Sequence, residues 1–339
     1  MPTLPHTGGE NQWPALIDAL QAAQHVAIFT HQRPDPDAVG SQVGLAAVLS
    51  QAGKSGVAVE FPPVPENLMF ILEASPWPVM EFTPTWPGES MPEFDTIVVV
   101  DTSSREQLSP AYEVLNSMSQ KLLCIDHHLA ADIQGRCIYR DSHAGSCAEI
   151  IVRIANEFGG LSFKAAGALL AGITADTGWF HFEGTSASTL QAAAACVDAG
   201  ARPDQLWHRL MQQDSVAKWR LTGRVLQSAE YVLSGRLALM RISQQDFAQT
   251  GAKSWETEGL INFPLSIADV AASACLAEQP DGLLRVSLRS KHTINVAEIA
   301  AEFGGGGHAR AAGCRIRLPM DQACKSLTIA FEKRFTNPQ

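Results

Sequence analysis

Positive charge is scarce in this sequence: 25 Lys and Arg stand against 35 Asp and Glu, a formal net charge of −10. A chain so acidic is no general binder of long duplex nucleic acid, whose phosphate lattice rewards clustered cations. A short anionic substrate stays open, because a few Arg residues or a bound metal reverse the field locally. C-x-x-C pairs are absent, and the seven Cys (124, 137, 147, 196, 275, 314 and 324) are scattered and odd in number. That pattern argues against a thiolate zinc site or a disulfide framework, and the thiols read as small buried hydrophobes in a reducing compartment. No run reaches the ~18–20 apolar residues of a membrane span. Residues 1–13 lack a basic stretch followed by an apolar one, so no signal peptide is expected. The expected location is cytoplasmic, with no membrane partner. No internal repeat is visible.

What is present predicts two domains, since 339 residues exceed one ordinary core. HVAIFT (25–30), Val57–Phe61, TIVVV (96–100) and KLLCI (121–125) read as buried strands, and helical periodicity lies between them. The expected fold class is α/β: a mostly parallel sheet with helices on both faces over 13–202. A polar helical linker over 203–228 leads to a smaller α+β domain over 229–335, across a cleft. That second domain contains RLALMRI, VAASACLAE, a Pro-Asp-Gly turn at 280–282 and LLRVSLRS. Ser146-x-x-Glu149 reads as a capping box opening a helix. The Pro/Trp-rich stretch 62–92 yields no assignment.

Acidic residues and histidines follow the C-terminal ends of the predicted strands. His31, Asp35 and Asp37 come after HVAIFT, Asp101 after TIVVV, and Asp126, His127 and His128 after KLLCI; Asp176 follows the helix at 163–174. Open α/β sheets bind ligands at strand C-termini, so these distant residues should converge. Singly, Asp101 would be an N-cap or turn residue, His127-His128 surface imidazoles and Asp35-Pro36-Asp37 an ordinary turn. Jointly they describe a metal site. Several carboxylates within a few ångström need a positive charge among them to ionise together. Imidazole mixed with carboxylate suits an ion such as Mn²⁺. Five or six ligands exceed the needs of one catalytic ion. Two ions sharing a carboxylate would use them, and would orient and deprotonate a water for in-line attack on phosphorus. His6, His25, His143, His181, His208 and His292 lack such context and read as structural or surface residues.

The glycine run GGGGHARAAG (304–313) offers a second anion site. Consecutive glycines leave backbone N–H groups uncovered and admit a phosphate closely. No Lys-Ser/Thr follows, so it is not a Walker A loop. The formal fit of Gly304-x-Gly306-x-x-Ala309 to a dinucleotide fingerprint fails because the preceding INVAEIAAEF has helical character. Taken alone, the run also reads as a helix–strand linker.

Together these residues resemble the DHH/DHHA1 phosphoesterases. HQRPDPDAVGS (31–41) matches the first motif, VVVDTS with Asp101 the second, Asp126-His127-His128 the name-giving tripeptide, ADTGWF with Asp176 the fourth, and the glycine run the C-terminal signature. The resemblance spans about Trp13 to Phe335. It implies two Mn²⁺ (with Mg²⁺ or Co²⁺ as substitutes), one held by His31, Asp35 and Asp101, the other by Asp37, Asp101, His127 and Asp176. It also implies catalytic roles for Asp101 as bridge, Asp126 as orienter of a neighbouring imidazole and His128 as the group facing the substrate phosphate. Substrate binding falls to Arg289, Gly305, Gly306, Gly307, His308 and Arg310. Pro36 departs from the glycine many relatives carry; it changes loop stiffness and not the ligands.

Within the family, this length leaves no room for the extra domains of long single-strand exonucleases. The glycine module separates the chain from the pyrophosphatases. The expected activity is that of the compact two-domain nano-RNases: hydrolysis of short RNA and removal of the 3′-phosphate of 3′-phosphoadenosine 5′-phosphate (pAp). A cyclic or linear dinucleotide phosphodiesterase (c-di-AMP, pApA) is the alternative, an exopolyphosphatase-like enzyme the third reading, and a metal-free nucleotide-binding regulator the non-enzymatic one. The expected partners are short RNA or a small nucleotide, and a homodimer is compatible with this reading.

Overall fold

TIVVV at 96–100 and LLCID at 122–126 are buried at every residue, as strands covered on both faces must be. The computed structural model describes residues 12–336 except 89–92, 110, 130 and 292–293. The chain divides into two units, Met1–Gln213 and Asp214–Gln339.

The first unit contains strands β1 (His25–Phe29), β2 (Ser55–Glu60), β3 (Val79–Glu81), β4 (Thr96–Val100), β5 (Leu122–Asp126) and β6 (Cys137–Arg140). Its helices are α1 (Trp13–Ala22), α2 (Pro36–Gln51), α3 (Met69–Leu72), α4 (Arg105–Leu108), α5 (Tyr112–Ser117), α6 (Cys147–Glu157), α7 (Phe163–Asp176), α8 (Ala187–Asp198) and α9 (Pro203–Met211). The strands form one parallel sheet in the order β3-β2-β1-β4-β5-β6. Alternate strand residues feed two cores. Val26, Ile28, Val98, Val100, Leu123 and Ile125 pack under α1, α2, α6 and α7, and Ala27, Phe29, Ile97 and Val99 pack on the opposite face. The Pro/Trp-rich stretch adds Phe82 and Trp86 to that second core. Trp86 stacks on Phe94 with ring centroids 5.7 Å apart and meets Phe29 edge-on at 4.8 Å. It also contributes β3, a short edge strand. Neither β3 nor β6 is announced by a hydrophobic run. All seven cysteines are buried and free.

The second unit contains α10 (Val216–Gln227), β7 (Glu230–Val232), β8 (Leu237–Ile242), α11 (Gln244–Thr250), β9 (Ala272–Glu278), β10 (Leu284–Ser290), α12 (Val296–Glu302), β11 (Gly306–His308), β12 (Ala311–Ile316) and α13 (Met320–Thr336). Its mixed sheet has the order β11-β12-β10-β9-β8-β7, with β8 and β9 parallel and the other pairs antiparallel. The helical stretch at 203–228 is two helices, α9 and α10, and the division between units falls between them. Among the described residues no helix is long and apolar enough to cross a membrane.

Candidate metal centre

The chain leaves β1 toward β2 and β3 on one side of the first sheet and returns through β4, β5 and β6 on the other. The boundary between β1 and β4 is therefore the topological switch point, where loops diverge and leave a crevice at the strand C-termini. His31 follows β1 and Asp101 follows β4, so both stand at that point. The Thr30 hydroxyl ties the two strand ends together by donating to the Val100 carbonyl at 3.1 Å.

Asp35 is the N-cap of α2: its Oδ1 accepts from the backbone N–H of Asp37 (2.9 Å) and Ala38 (3.0 Å). Pro36 occupies the first helical position, where the missing N–H is harmless and the fixed φ suits a helix. The departure at Pro36 thus firms up the helix start. Asp37 is fully buried. Its Oδ2 accepts from Cys147 N at 2.7 Å and its Oδ1 from Ala148 N at 2.9 Å, the first two N–H groups of α6. A carboxylate at a helix N-terminus is favoured by the unpaired N–H groups there. Helices α2 and α7 pack closely enough that a Cβ on Gly40 would stand 2.4 Å from the Ala168 carbonyl oxygen.

Asp101 adopts a left-handed backbone conformation (φ 62°), a sparsely populated state that the surroundings must hold in place. Its Oδ2 lies 3.4 Å from His31 Nε2 and its Oδ1 3.4 Å from His127 Nε2. His127 Nε2 is also 3.1 Å from Asp176 Oδ2 and 3.9 Å from Asp37 Oδ2. Helix α7 runs two residues past the expected end, making Asp176 its last residue. Three groups of donors lie close enough to hold an ion: His31, Asp35 and Asp101; Asp37, His127 and Asp176; and Asp101, His127 and His128. His31 Nδ1 pairs with the Gln32 carbonyl at 2.9 Å and leaves Nε2 toward Asp101. Asp126, buried at the end of β5, accepts on Oδ1 from His127 N (2.8 Å), His128 N (3.2 Å) and His128 Nδ1 (2.8 Å), and on Oδ2 from Ser103 Oγ. Its oxygens are thus engaged with the protein, and the His128 imidazole, 40% exposed, keeps Nε2 for other partners.

The electrostatics describe a cage short of positive charge. Burial, together with the charges of Asp101, Asp176 and Asp35, pushes the Asp37 carboxyl well above the usual carboxylate range. Burial and the same two neighbours, Asp101 and Asp176, lift Asp35 to about 6. Burial acts against Asp101 too, but the facing imidazoles of His127 and His31 outweigh it and hold that carboxyl low. In return the imidazoles retain protons. Burial alone would lower them, yet Asp101 raises His31 to about 9, and Asp101 with Asp176 raises His127 to about 12. Asp126 raises His128 likewise. Asp101 Oδ1 and His127 Nε2 are buried without a hydrogen-bond partner. Orphaned polar atoms in a carboxylate–imidazole cage fit a divalent cation, which would supply the charge that the imidazolium protons otherwise provide. The nearby Cys124 and Cys147 thiols face backbone carbonyls and are pushed up mainly by burial, so the donors are oxygen and nitrogen only.

Two further residues of this region lie outside the candidate ligand set. Arg140, at the end of β6, is paired in register with Asp126, and its Nη1 donates to the carbonyls of Leu129 (2.6 Å) and His128 (3.5 Å). Recognition of β6 as a strand would have pointed to it. Glu149 is the partner expected for Ser146, whose Oγ does accept from Glu149 N at 3.1 Å. The buried Glu149 carboxylate also accepts from Gly145 N (2.9 Å), Ser188 Oγ (2.7 Å) and Thr189 Oγ1 (2.7 Å), joining the start of α6 to that of α8.

In the second unit, Arg289 on β10 donates to the Leu288 carbonyl at 3.1 Å, Arg310 donates to the Ile294 carbonyl at 2.8 Å, and neither forms a salt bridge among the described residues. Burial draws the Arg289 guanidinium below its ordinary range, with Glu258 opposing. The glycine run has a steric reason of its own. A Cβ on Gly305 would stand 2.2 Å from the Gly313 carbonyl oxygen, and one on Gly307 (φ 142°) 2.5 Å from that of Ala311, whereas Gly306 faces open space. The run ends α12 and continues as edge strand β11, and the side chain of His308 lies outside the described residues.

Residues 25–173 match the DHH family N-terminal domain and residues 239–335 the DHHA1 domain. The chain is 30% identical over 302 residues to a probable bifunctional oligoribonuclease and PAP phosphatase NrnA of Streptococcus mutans, covering 88% of this chain and 91% of that protein. It is 28% identical over 324 residues to the bifunctional oligoribonuclease and PAP phosphatase NrnA of Thermus thermophilus, covering 95% and 94%. An exopolyphosphatase-related protein from Bacteroides fragilis has the same fold, with a TM-score of 0.87, 23% identity and 98% of each chain covered.

Proposed function

We propose, from the premise that this chain belongs to the DHH family and carries its DHHA1 domain, that it hydrolyses short oligoribonucleotides and the 3′-phosphate of pAp at a two-ion Mn²⁺ centre. The observation that carries the reading is the cage itself: carboxylates and imidazoles from four parts of the chain around Asp101 Oδ1 and His127 Nε2, which no hydrogen bond satisfies. The names of the relatives support the choice of substrate.

His31, Asp35 and Asp101 would hold one ion and Asp37, Asp101, His127 and Asp176 the other, with Asp101 common to both. Such ions, when bound, lower the pKa of water and polarise a phosphoryl oxygen. The protein's own part is to place and to protonate. Asp126 holds the Nδ1 proton of His128 and aims its Nε2 outward, where it meets the departing ester oxygen and gives it a proton. The α6 N–H groups hold the Asp37 carboxyl in place. In the second unit, Arg289, Arg310, His308 and the glycines 305–307 would serve as a phosphate- or nucleoside-binding group.

The test is hydrolysis of pAp, pApA, c-di-AMP and RNA of two to five nucleotides with Mn²⁺, by the parent and by Asp101→Ala. The expected result is turnover of pAp and the shortest RNAs, with the variant reduced by at least a thousandfold. Full Mn²⁺-dependent activity in Asp101→Ala would sink the assignment. Preference for c-di-AMP or pApA would move the protein to the dinucleotide phosphodiesterases.

A further inference from the structure

Two residues after Asp176 the backbone enters the left-handed region at three successive residues: Gly178 (φ 55°), Trp179 (φ 56°) and Phe180 (φ 69°). Glycine adopts it freely, but for two bulky aromatics it is costly and persists only where the surroundings impose it. Here the imposition is visible. Trp179 N donates to the Thr174 carbonyl at 2.6 Å, and His181 N and Phe182 N both donate to the Thr177 carbonyl at 3.0 Å. The twist sorts four consecutive ring-bearing residues. Trp179 and Phe180 turn inward onto the core that contains α7, and Trp179 meets Trp207 of α9 edge-on with centroids 4.8 Å apart. His181 and Phe182 turn outward, and Phe182 is 52% exposed.

The exposed pair is nonetheless held. A Cβ on Gly178 would stand 2.6 Å from Phe182 Cζ and 2.7 Å from His181 Cε1, so both rings rest on the bare glycine backbone. Their centroids are 4.5 Å apart with planes at 58°, and His181 Nδ1 bonds the Gly178 carbonyl. Gly178 is two residues from Asp176, a chain length of at most about 7 Å. A held, solvent-facing aromatic ring thus rests on a glycine at most about 7 Å along the backbone from Asp176, a donor of the carboxylate–imidazole cage.

We infer that Phe182, with His181 at its edge, is a stacking surface for the nucleobase adjoining the scissile phosphate. Every base presents a π-face, so such a contact favours a nucleoside over a bare phosphate chain without choosing among bases. It accounts for an aromatic kept in water on a costly backbone beside the centre. Resting on the functional reading above, it makes the enzyme prefer nucleotides to inorganic polyphosphate through a contact distinct from the metal ligands.

The experiment compares kcat/KM with Mn²⁺ for pAp and for its counterpart in which hydrogen replaces adenine, using the parent, Phe182→Leu and Phe182→Trp. Leucine keeps apolar contact with Gly178 and removes the π-face; tryptophan restores it. The parent is expected to favour pAp about tenfold, Phe182→Leu to bring that ratio close to one, and Phe182→Trp to recover it. A 2-aminopurine analogue of pAp should be quenched on binding to the parent and not to Phe182→Leu. An unchanged ratio in an active Phe182→Leu enzyme overturns the stacking surface alone. A parent that hydrolyses neither ester overturns the functional reading, and the stacking surface with it.

Discussion

The Asp37 carboxylate occupies the space that a side chain on Gly172 would fill: a Cβ there would stand 2.6 Å from Asp37 Oδ1 and 2.8 Å from Ala148 Cβ. One glycine of α7 therefore makes room for a candidate ligand of α2 and for the helix start that holds it. In an ordinary helix interior Gly→Ala gains about 1 kcal/mol. Here Gly172→Ala is expected to lose stability by about 1–3 kcal/mol and to weaken divalent-ion binding by at least tenfold. Urea unfolding and calorimetric titration of the metal-free protein measure the two effects; a stabilised variant with parental affinity would contradict the close fit.

Two donor sets that would meet at Asp101 predict a stoichiometry. Calorimetry with Mn²⁺ should give two ions per chain in the parent and one in His31→Ala, since His31 serves only the set with Asp35 and Asp101. Ions at a hundredfold excess over Kd should stabilise the parent by about 2.7 kcal/mol per site, seen as a rise in Tm that EDTA reverses. A single site in the parent would refute the two-ion arrangement while leaving a metal centre.

Glu60, at the end of β2, is buried with neither carboxylate oxygen hydrogen-bonded. Burial lifts its pKa from 4.5 to about 7, with Gln42 and His31 pulling the other way. A carboxyl whose folded-state pKa exceeds its unfolded value binds more protons when folded, so stability falls as pH rises between those two values and levels off above them. Glu60→Gln should remove that fall. In metal-free protein the variant is expected to exceed the parent at pH 8 by on the order of 3 kcal/mol, with the gap closing toward pH 4. Parallel pH profiles for the two proteins would show that Glu60 ionises freely in the fold.

Arg140 fixes the backbone that leads away from His128, and no carboxylate pairs with it among the described residues. Arg140→Gln should lower kcat about tenfold by loosening His128 while leaving ion stoichiometry at the parental value. Lysine, which lacks the fixed guanidinium plane that aims Nη1 at both carbonyls, should rescue only in part. Steady-state kinetics beside metal titration separates this from a loss of ligands.

The strands that place the centre were legible because β1, β4 and β5 are apolar runs that stop at an acidic or imidazole residue. The edge strands were not. Val79–Glu81 and Cys137–Arg140 are too short for any period to show, and their pairing with β2 and β5 defines them. The candidate ligands could be read as residue types at strand ends, yet the anchoring of Asp37 on Cys147 and Ala148 joins positions 110 and 111 residues apart. Such a bond leaves no local trace in a sequence. The left-handed state of Asp101 is equally silent, since aspartate tolerates it without a neighbouring glycine to mark it. The glycine run was read as bare amides for an anion, while Gly305 and Gly307 are also required by the close approach of β12.

The candidate ligands extend from His31 to Asp176, and between them the chain builds five of the six strands and all but one of the long helices that cover the first sheet. No subset of that topology assembles the cage: without β4 the shared carboxylate is missing, and without α7 the pocket loses a wall and a donor. Ion retention is thus a property of the whole first unit. A paramagnetic ion seated there would act as a built-in gauge of cooperativity, released in a single step with the loss of tertiary structure and silent to fraying elsewhere.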